Sequence, residues 1–427
     1  MRILWVTHFL PYPATGHGAL QRTHHLLRQA SRRHEVHLVA LSPPWVEMSS
    51  AELEHAVTEL STFTASVAAF RLPRLGHRIR RVSTAATAWV GPSSFWEHAF
   101  RCEPARRHLR HLANVMRFDV VHFDTILLAG YLDVAPSASV VLNHHNIESQ
   151  LLFARADSGP VRWRRAFFRR EAVKVAALER SLVPRVAQNI VVSALDGDRL
   201  RDVAGDARIT TVTNGVDVEF FRPTCPTIPG TKTMVFAGGM NWFPNHDAMV
   251  YLAREIWPAL LQDDPTRTMT VIGRDPPPAL REAARDRRLR VLGFVDDVRP
   301  HMEDASSYLC PIRVGGGTRL KILDALAMSR PLISTDLGVE GLGLVEGTHY
   351  LGANTPAEFV HQVRRLENDA GLRQRLGAAG RAFVVDRYAW DRVAEPLEQA
   401  YVEAAGCARV EAVADVPDMR SASNPNW

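Results

Sequence analysis

Cysteine is scarce in this 427-residue chain, and the four present, Cys102, Cys225, Cys310 and Cys407, are far apart. No CxxC pair occurs, which argues against a zinc site or a disulfide framework and suits a reducing compartment. Long apolar runs are also missing: nothing approaches the ~18 residues a membrane-spanning helix needs. The opening, "MRILWVTHFLPYP", is apolar only briefly and lacks a small-residue cleavage site, so it reads as a first strand of a cytoplasmic protein. Lysine is rarer than cysteine, with only Lys174, Lys232 and Lys321; arginine supplies the other basic charges. The net charge of +5 divides unevenly, +9 over residues 1–215 and −4 over the remainder.

What is present is alternation. "RILWVTHF", "EVHLVALS", "FDVVHFD", "SVVLNHH" and "NIVVSA" are short, valine-rich runs separated by helical patterns. The scheme then restarts with "RITTVTN", "TMVFAGGM", "TMTVIG", "LRVLGFV", "SSYLCPI" and "PLISTD". Strands alternating with helices specify parallel sheets, and two such sets predict an α/β chain of two Rossmann-like, doubly wound domains with a cleft between them. We expect the first domain over 1–205, the second over 206–387, a final helix over 388–405 completing the first, and a disordered tail at 408–427.

Ligands of open α/β sheets bind beyond the carboxyl ends of the strands. Those positions hold "HFLPYPATGHGALQ", "LNHHNIES", "TNGVD", "FAGGMNWFPN", "GFVDD" and "RVGGGTRLK", dense in glycine, asparagine, histidine and aspartate. In "GGGTRLKILD" the glycines at 315–317 allow an anion close to the backbone at a helix start, with Thr318 as its cap. Arg319 and Lys321 bring full charges for a diphosphate, and Asp324 lies one turn on, placed for ribose hydroxyls. A flexible turn with a routine surface ion pair explains the same residues equally well. "TGHGALQR" places Gly16 and Gly18 at a helix start, but Gln21 stands where a dinucleotide fingerprint needs its third glycine, so NAD binding is not supported. "TNGVD" reads as a turn by itself. The segment "PVRWRRAFFRREAVKVAALERSLVPR" is either a solvated helix face over core aromatics or a patch for an anionic membrane. No nucleic-acid-binding module accompanies it.

Taken together, these blocks resemble the GT-B glycosyltransferases, specifically the large retaining family four, over nearly the whole chain. The carriers are "HFLPYPATGHGALQRTHHLLRQASRRHEVHLVAL", "NHHNIES", "VTNGVDVEFFRP", "FAGGMNWFPNHDAMVYL" and "LGFVDDVRPHMEDASSYLCPIRVGGGTRLKILDALAMSRPLISTDLGVEGL". Within the family, the chain is similar to bacterial sugar transferases of polysaccharide assembly. The resemblance implies a UDP- or GDP-sugar donor held by the second domain and a glycan or lipid-linked acceptor on the first, without metal or other cofactor. It implies that His145 is the active-site histidine and that Arg319 and Lys321 stabilise the leaving diphosphate. Gly16, Gly18, Gly238, Gly239, Val295, Gly316, Gly317, Thr318 and Asp324 would surround the donor. Asp324 takes the second position of the family's pair of acids, and Gly316 occupies the first, so one acid is missing. The family's arginine and lysine after "FAGG" are replaced by "MNWFPN". A catalytically silent nucleotide-sugar-binding scaffold and a UDP-sugar epimerase of the same fold are the alternatives.

Overall fold

Valine- and isoleucine-rich runs too short for helices bury both faces most readily as parallel strands covered by helices. The computed structural model places them so; it describes residues 1–13, 18–43, 48–72, 89, 91, 93–158, 162–225, 228, 230–315 and 319–406. The first sheet contains β1 (Arg2–Thr7), β2 (Glu35–Ser42), β3 (Ser66–Arg71), β4 (Val120–Phe123), β5 (Ser139–His144), β6 (Gln188–Val191) and β7 (Ile209–Thr211). Its order is β3-β2-β1-β4-β5-β6-β7, every pairing parallel. The second contains β8 (Thr233–Ala237), β9 (Thr268–Ile272), β10 (Leu289–Gly293), β11 (Ser307–Cys310), β12 (Leu332–Ser334) and β13 (Tyr350–Gly352). Its order, β10-β9-β8-β11-β12-β13, is that of a Rossmann sheet and is again parallel throughout.

In both sheets the strand order reverses beside the first strand, between β1 and β4 and between β8 and β11. At such a reversal the helices that follow the two central strands depart to opposite faces, leaving a crevice at their carboxyl ends. By that rule each unit has its ligand-binding edge at its own reversal.

The unit boundaries differ from the sequence expectation. One unit comprises Met1–Thr213 and Ala394–Trp427, the other Asn214–Val393. The segment "RITTVTN" does not open the second domain, because Ile209–Thr211 hydrogen-bonds to β6 as the edge strand of the first sheet. The C-terminal return begins at Ala394 and not at 388. Tyr388 and Ala389 stay with the second unit, where the Val216 N–H donates to the Tyr388 carbonyl at 2.8 Å and the Tyr388 hydroxyl donates to the Leu342 carbonyl at 2.9 Å. Strands β3 and β13 were not foreseen. The expected disordered tail at 408–427 lies outside the described residues.

The returning helix, Glu395–Gly406, buries Leu397, Ala400, Tyr401 and Ala404, a 3–4 spacing that forms one apolar face. Tyr401 reaches a buried polar centre, its hydroxyl 2.9 Å from His122 Nδ1. Trp5 stacks on the His122 ring at 3.8 Å between centroids. Burial pushes the His122 imidazole down to about 3, so the ring is neutral at physiological pH.

Candidate active site

The second unit builds its crevice from the turns that follow β8, β9 and β10. The Gly238 N–H donates to the Ile272 carbonyl at 2.8 Å, Met240 N–H to Arg274 at 2.9 Å, and Gly273 N–H to Gly293 at 2.7 Å. These bonds bring the turns so close that a Cβ on Gly273, at φ +151°, would sit 2.0 Å from the Gly238 carbonyl oxygen. Glycine is required there, a need the sequence reading did not register. The Gly238 amide is thus spent inside the fold, whereas among the described residues no acceptor takes the Gly239 N–H. The end of β8 is braced from below by the Tyr308 hydroxyl, which accepts from Ala237 N–H and donates to the Ala237 carbonyl.

Lys321 reaches this turn from the helix Leu320–Ala327. Its ammonium lies 3.4 Å from the point where a Gly238 Cβ would stand and 5.2 Å from the Phe236 ring centroid. It donates to Oδ1 of Asn245, whose Nδ2 donates to the Gly239 carbonyl at 2.7 Å. Asn245 therefore ties the glycine turn to the lysine. Burial pushes the Lys321 ammonium down to about 8 and the Asp324 carboxyl up to about 8, each partner pulling the other part of the way back.

Arg319, buried at the start of the helix, donates to the Gly315 carbonyl at 2.8 Å. At least one of its donors is thus spent on Gly315. Gly315, at φ +92°, lies against Pro244, whose Cγ would be 2.5 Å from an added Cβ. The expected contacts at Gly16, Gly316, Gly317 and Thr318 fall outside the described residues; the helix N-cap is Arg319, with no side-chain cap. Val295 is half-buried against the core after β10. Its neighbour Phe294 is exposed beneath the Arg274 guanidinium, 4.2 Å from the ring centroid.

The first unit's crevice holds a carboxylate that sequence reading missed. Asp124 follows β4, fully buried. Its Oδ2 accepts from Thr7 at 2.9 Å and Thr23 at 2.8 Å; its Oδ1 accepts from Asn143 Nδ2 at 3.0 Å and lies 3.3 Å from His145 Nε2. Burial alone would raise this carboxyl. The His145 ring with its hydrogen bond, then His122 and His8, outweigh burial and hold it well below the usual range. Gly18 begins the helix Gly18–Ser31, which delivers Arg22 and Thr23 to this centre. Arg22 donates to the Thr213 carbonyl at 2.8 Å, and burial pushes its guanidinium down to about 10. His144, on the opposite side of β5, turns to Asn189 at 3.2 Å, so the two adjacent histidines serve different surroundings. Among the described residues no three acidic, histidine or cysteine side chains converge as metal ligands.

Two Rossmann-type sheets in one chain, with a glycine–lysine turn at the reversal of the second, define a GT-B fold. Residues 17–220 match the family model described as "Glycosyltransferase Family 4", and residues 231–369 match "Glycosyl transferases group 1". The two matches together take in most of the chain, and it belongs to this family. It is 25% identical over 232 residues to a D-inositol 3-phosphate glycosyltransferase of Streptomyces bingchenggensis (strain BCW-1), covering 48% of this chain and 50% of that protein. It is 26% identical over 245 residues to a GDP-mannose:cellobiosyl-diphosphopolyprenol alpha-mannosyltransferase of Xanthomonas oryzae pv. oryzae (strain PXO99A), covering 53% of this chain and 60% of that protein. The chain thus spans half to three-fifths of the length of these relatives. Its fold is shared with the sucrose-phosphate synthase of Thermosynechococcus elongatus, at TM-score 0.64 and 15% identity over 94% of this chain and 99% of that one. Anabaena HepE in complex with UDP-glucose superposes at TM-score 0.63 and 12% identity, over 94% of this chain and 99% of that one.

The raised Asp324 carboxyl carries a pH signature. The folded protein keeps a proton that the unfolded chain gives up, so from pH about 4 to about 8 this group's contribution to stability falls as pH rises. Lys321 acts above that window, where rising pH favours the fold. Asp324→Asn removes the first slope. Scanning fluorimetry should show the variant gaining at least about 2 °C on wild type between pH 5 and pH 8; parallel curves would mean that Asp324 is not desolvated.

Proposed function

We propose that the protein is a retaining glycosyltransferase that moves a sugar from a UDP- or GDP-sugar to a glycan or lipid-linked acceptor in polysaccharide biosynthesis. One observation carries the reading: a lysine partly stripped of water is tied by Asn245 to a glycine turn at the strand-order reversal of the second sheet. A diphosphate placed there would pair with the desolvated ammonium and meet the Gly239 N–H. The names of the relatives agree with the donor class, one using GDP-mannose and a fold neighbour holding UDP-glucose.

In this mechanism the acceptor hydroxyl attacks from the face that the diphosphate leaves. The departing phosphate oxygen takes the hydroxyl proton while the bond from the anomeric carbon to the phosphate oxygen breaks. Lys321 stabilises the charge that grows on the leaving group, Arg319 keeps the glycine loop in place and adds positive potential, and His145 stands by the sugar. Gly16, Gly18, Gly316, Gly317 and Thr318 would contribute backbone or small-residue contacts to donor and acceptor, Val295 would meet the base, and Asp324 the ribose. The reaction as drawn uses no metal or other cofactor.

The protein would work in the cytoplasm, peripheral to the inner face of the membrane. On the helix Arg162–Leu182, Trp163 is 67% exposed, with Arg164 stacked on its ring at 5.3 Å. Arg162, Arg165, Arg169 and Arg170 are exposed around it, Arg170 stacking on the exposed Trp89 at 5.3 Å. Exposed indoles beside guanidinium groups fit an anionic lipid surface. Among the described residues no helix is long and apolar enough to cross a membrane.

The scaffold reading keeps one argument, Gly316 in place of an acid, and turnover separates the two. Saturating UDP or GDP should raise the unfolding temperature, since a ligand at 100 times its Kd adds ~2.7 kcal/mol. Lys321→Ala should lose that shift and lower kcat by about 100-fold or more. Stabilisation without turnover on any nucleotide sugar would favour the scaffold, and absence of both would exclude the donor site.

Vesicle flotation tests the membrane surface. Vesicles containing phosphatidylglycerol should retain the protein at low salt and release it as salt rises, while phosphatidylcholine alone should not bind. Binding indifferent to lipid charge and salt would contradict the assignment.

A further inference from the structure

The His145 ring has two nitrogens in unlike surroundings. Nε2 faces Asp124 Oδ1 at 3.3 Å, and the side chain is 7% exposed. Nδ1 is buried and, among the described residues, has no hydrogen-bond partner. A buried nitrogen without a partner costs stability, so its presence at the carboxyl end of a central strand asks for a ligand. The rings of His8 and Phe9 lie 6.1 and 6.3 Å from that of His145 and form a wall beside it.

The hydrogen-bond inventory decides which nitrogen carries the proton. A carboxylate has about four lone-pair positions. At Asp124 two are taken by the hydroxyls of Thr7 and Thr23 and one by Asn143 Nδ2, leaving the fourth to His145 Nε2. An ionised carboxylate only accepts, so a proton on the nitrogen 3.3 Å from it is favoured. One contact competes: Asn143 Nδ2 is 3.4 Å from the same Nε2 and would suit the opposite tautomer. That amide has two hydrogens and could serve both Asp124 and Nε2, so the choice rests on the carboxylate: an ionised acceptor 3.3 Å from Nε2 favours a proton there over a neutral contact at 3.4 Å.

We infer that Asp124 is a positioning residue that fixes His145 in the Nε2–H tautomer, leaving the Nδ1 lone pair as an acceptor for a hydroxyl of the bound sugar. The inference rests on the transferase reading and adds to it a residue 21 positions earlier in the chain, at the end of a different strand. Thr7, Thr23 and Asn143 are its supports. They come from the end of β1, the helix Gly18–Ser31 and β5 and hold the carboxylate rigid, which is how a buried acid orients an imidazole.

The test is long-range proton–nitrogen NMR on the ¹⁵N-labelled full chain at a pH where the ring is neutral, with His145→Gln to assign the signals. Nε2 should resonate as a protonated nitrogen and Nδ1 as an unprotonated one, in a single tautomer. Asp124→Ala should give a tautomer mixture, and Asp124→Asn should restore the single form. In the latter the amide oxygen can accept from His145 while the two threonine hydroxyls reverse to accept from its NH₂. Adding UDP-glucose or GDP-mannose, whichever raises the unfolding temperature, should move the Nδ1 resonance, and UDP or GDP alone should not. An Nδ1–H tautomer in wild type would overturn the inference, and so would an Nδ1 signal unmoved by a bound nucleotide sugar. The wild-type spectrum decides the tautomer even where Asp124→Ala does not fold. Failure of every nucleotide sugar to bind would remove the donor reading and leave the tautomer measurement standing.

Discussion

Parallel pairing is the constraint on which the rest of this structure depends. When all strands run one way, their carboxyl ends share one edge, and a reversal of strand order opens a crevice at that edge. Both sheets obey this, one with Thr7 and Asp124 beside its reversal and the other with Gly238 and the loop leading to Lys321. The chemistry-bearing residues are therefore not scattered over loops at random. They occupy the two places where an open sheet leaves backbone and side chains free to meet a ligand.

The two crevices solve different electrostatic problems. In the second unit burial works against charge: Lys321 and Asp324 are both pushed toward their neutral forms, and an arriving anion would reverse this for the lysine. Glycines make that approach feasible, and the one at 273 is dictated by the Gly238 carbonyl pressed against it. In the first unit burial is overcome: Asp124 is surrounded by donors and keeps its charge in the core. A compensated carboxylate of this kind is costly to build. Its return is orientation of the polar side chains around it.

How much of this the sequence discloses follows from the range of the interactions. Strands such as "FDVVHFD" and "TMVFAGGM" are legible because a buried parallel strand needs only a short apolar run. "SVAAFR" was not, since on the edge strand β3 it is only partly buried, and neither was "YLG", three residues long. The glycine–lysine loop was visible as a motif and the strand-end histidines as an oddity. Asp124 was invisible because its partners Thr7 and Thr23 stand 117 and 101 residues away, and Asn245 because Lys321 comes 76 residues later. "RITTVTN" was misplaced for a related reason: nothing local states which sheet an edge strand joins. The resemblance to family four supplied the role of His145, which no local pattern contains.

Hydrogen exchange read by mass spectrometry on the full chain, with and without saturating UDP-glucose or GDP-mannose, tests whether the reversal of the second sheet holds the donor. A donor bound at the reversal of the second sheet should slow exchange in peptides spanning 238–246 and 315–324 and leave the distant helix Pro356–Asn368 unchanged. Protection confined to other segments, with 238–246 exchanging at its free rate, would place the donor elsewhere.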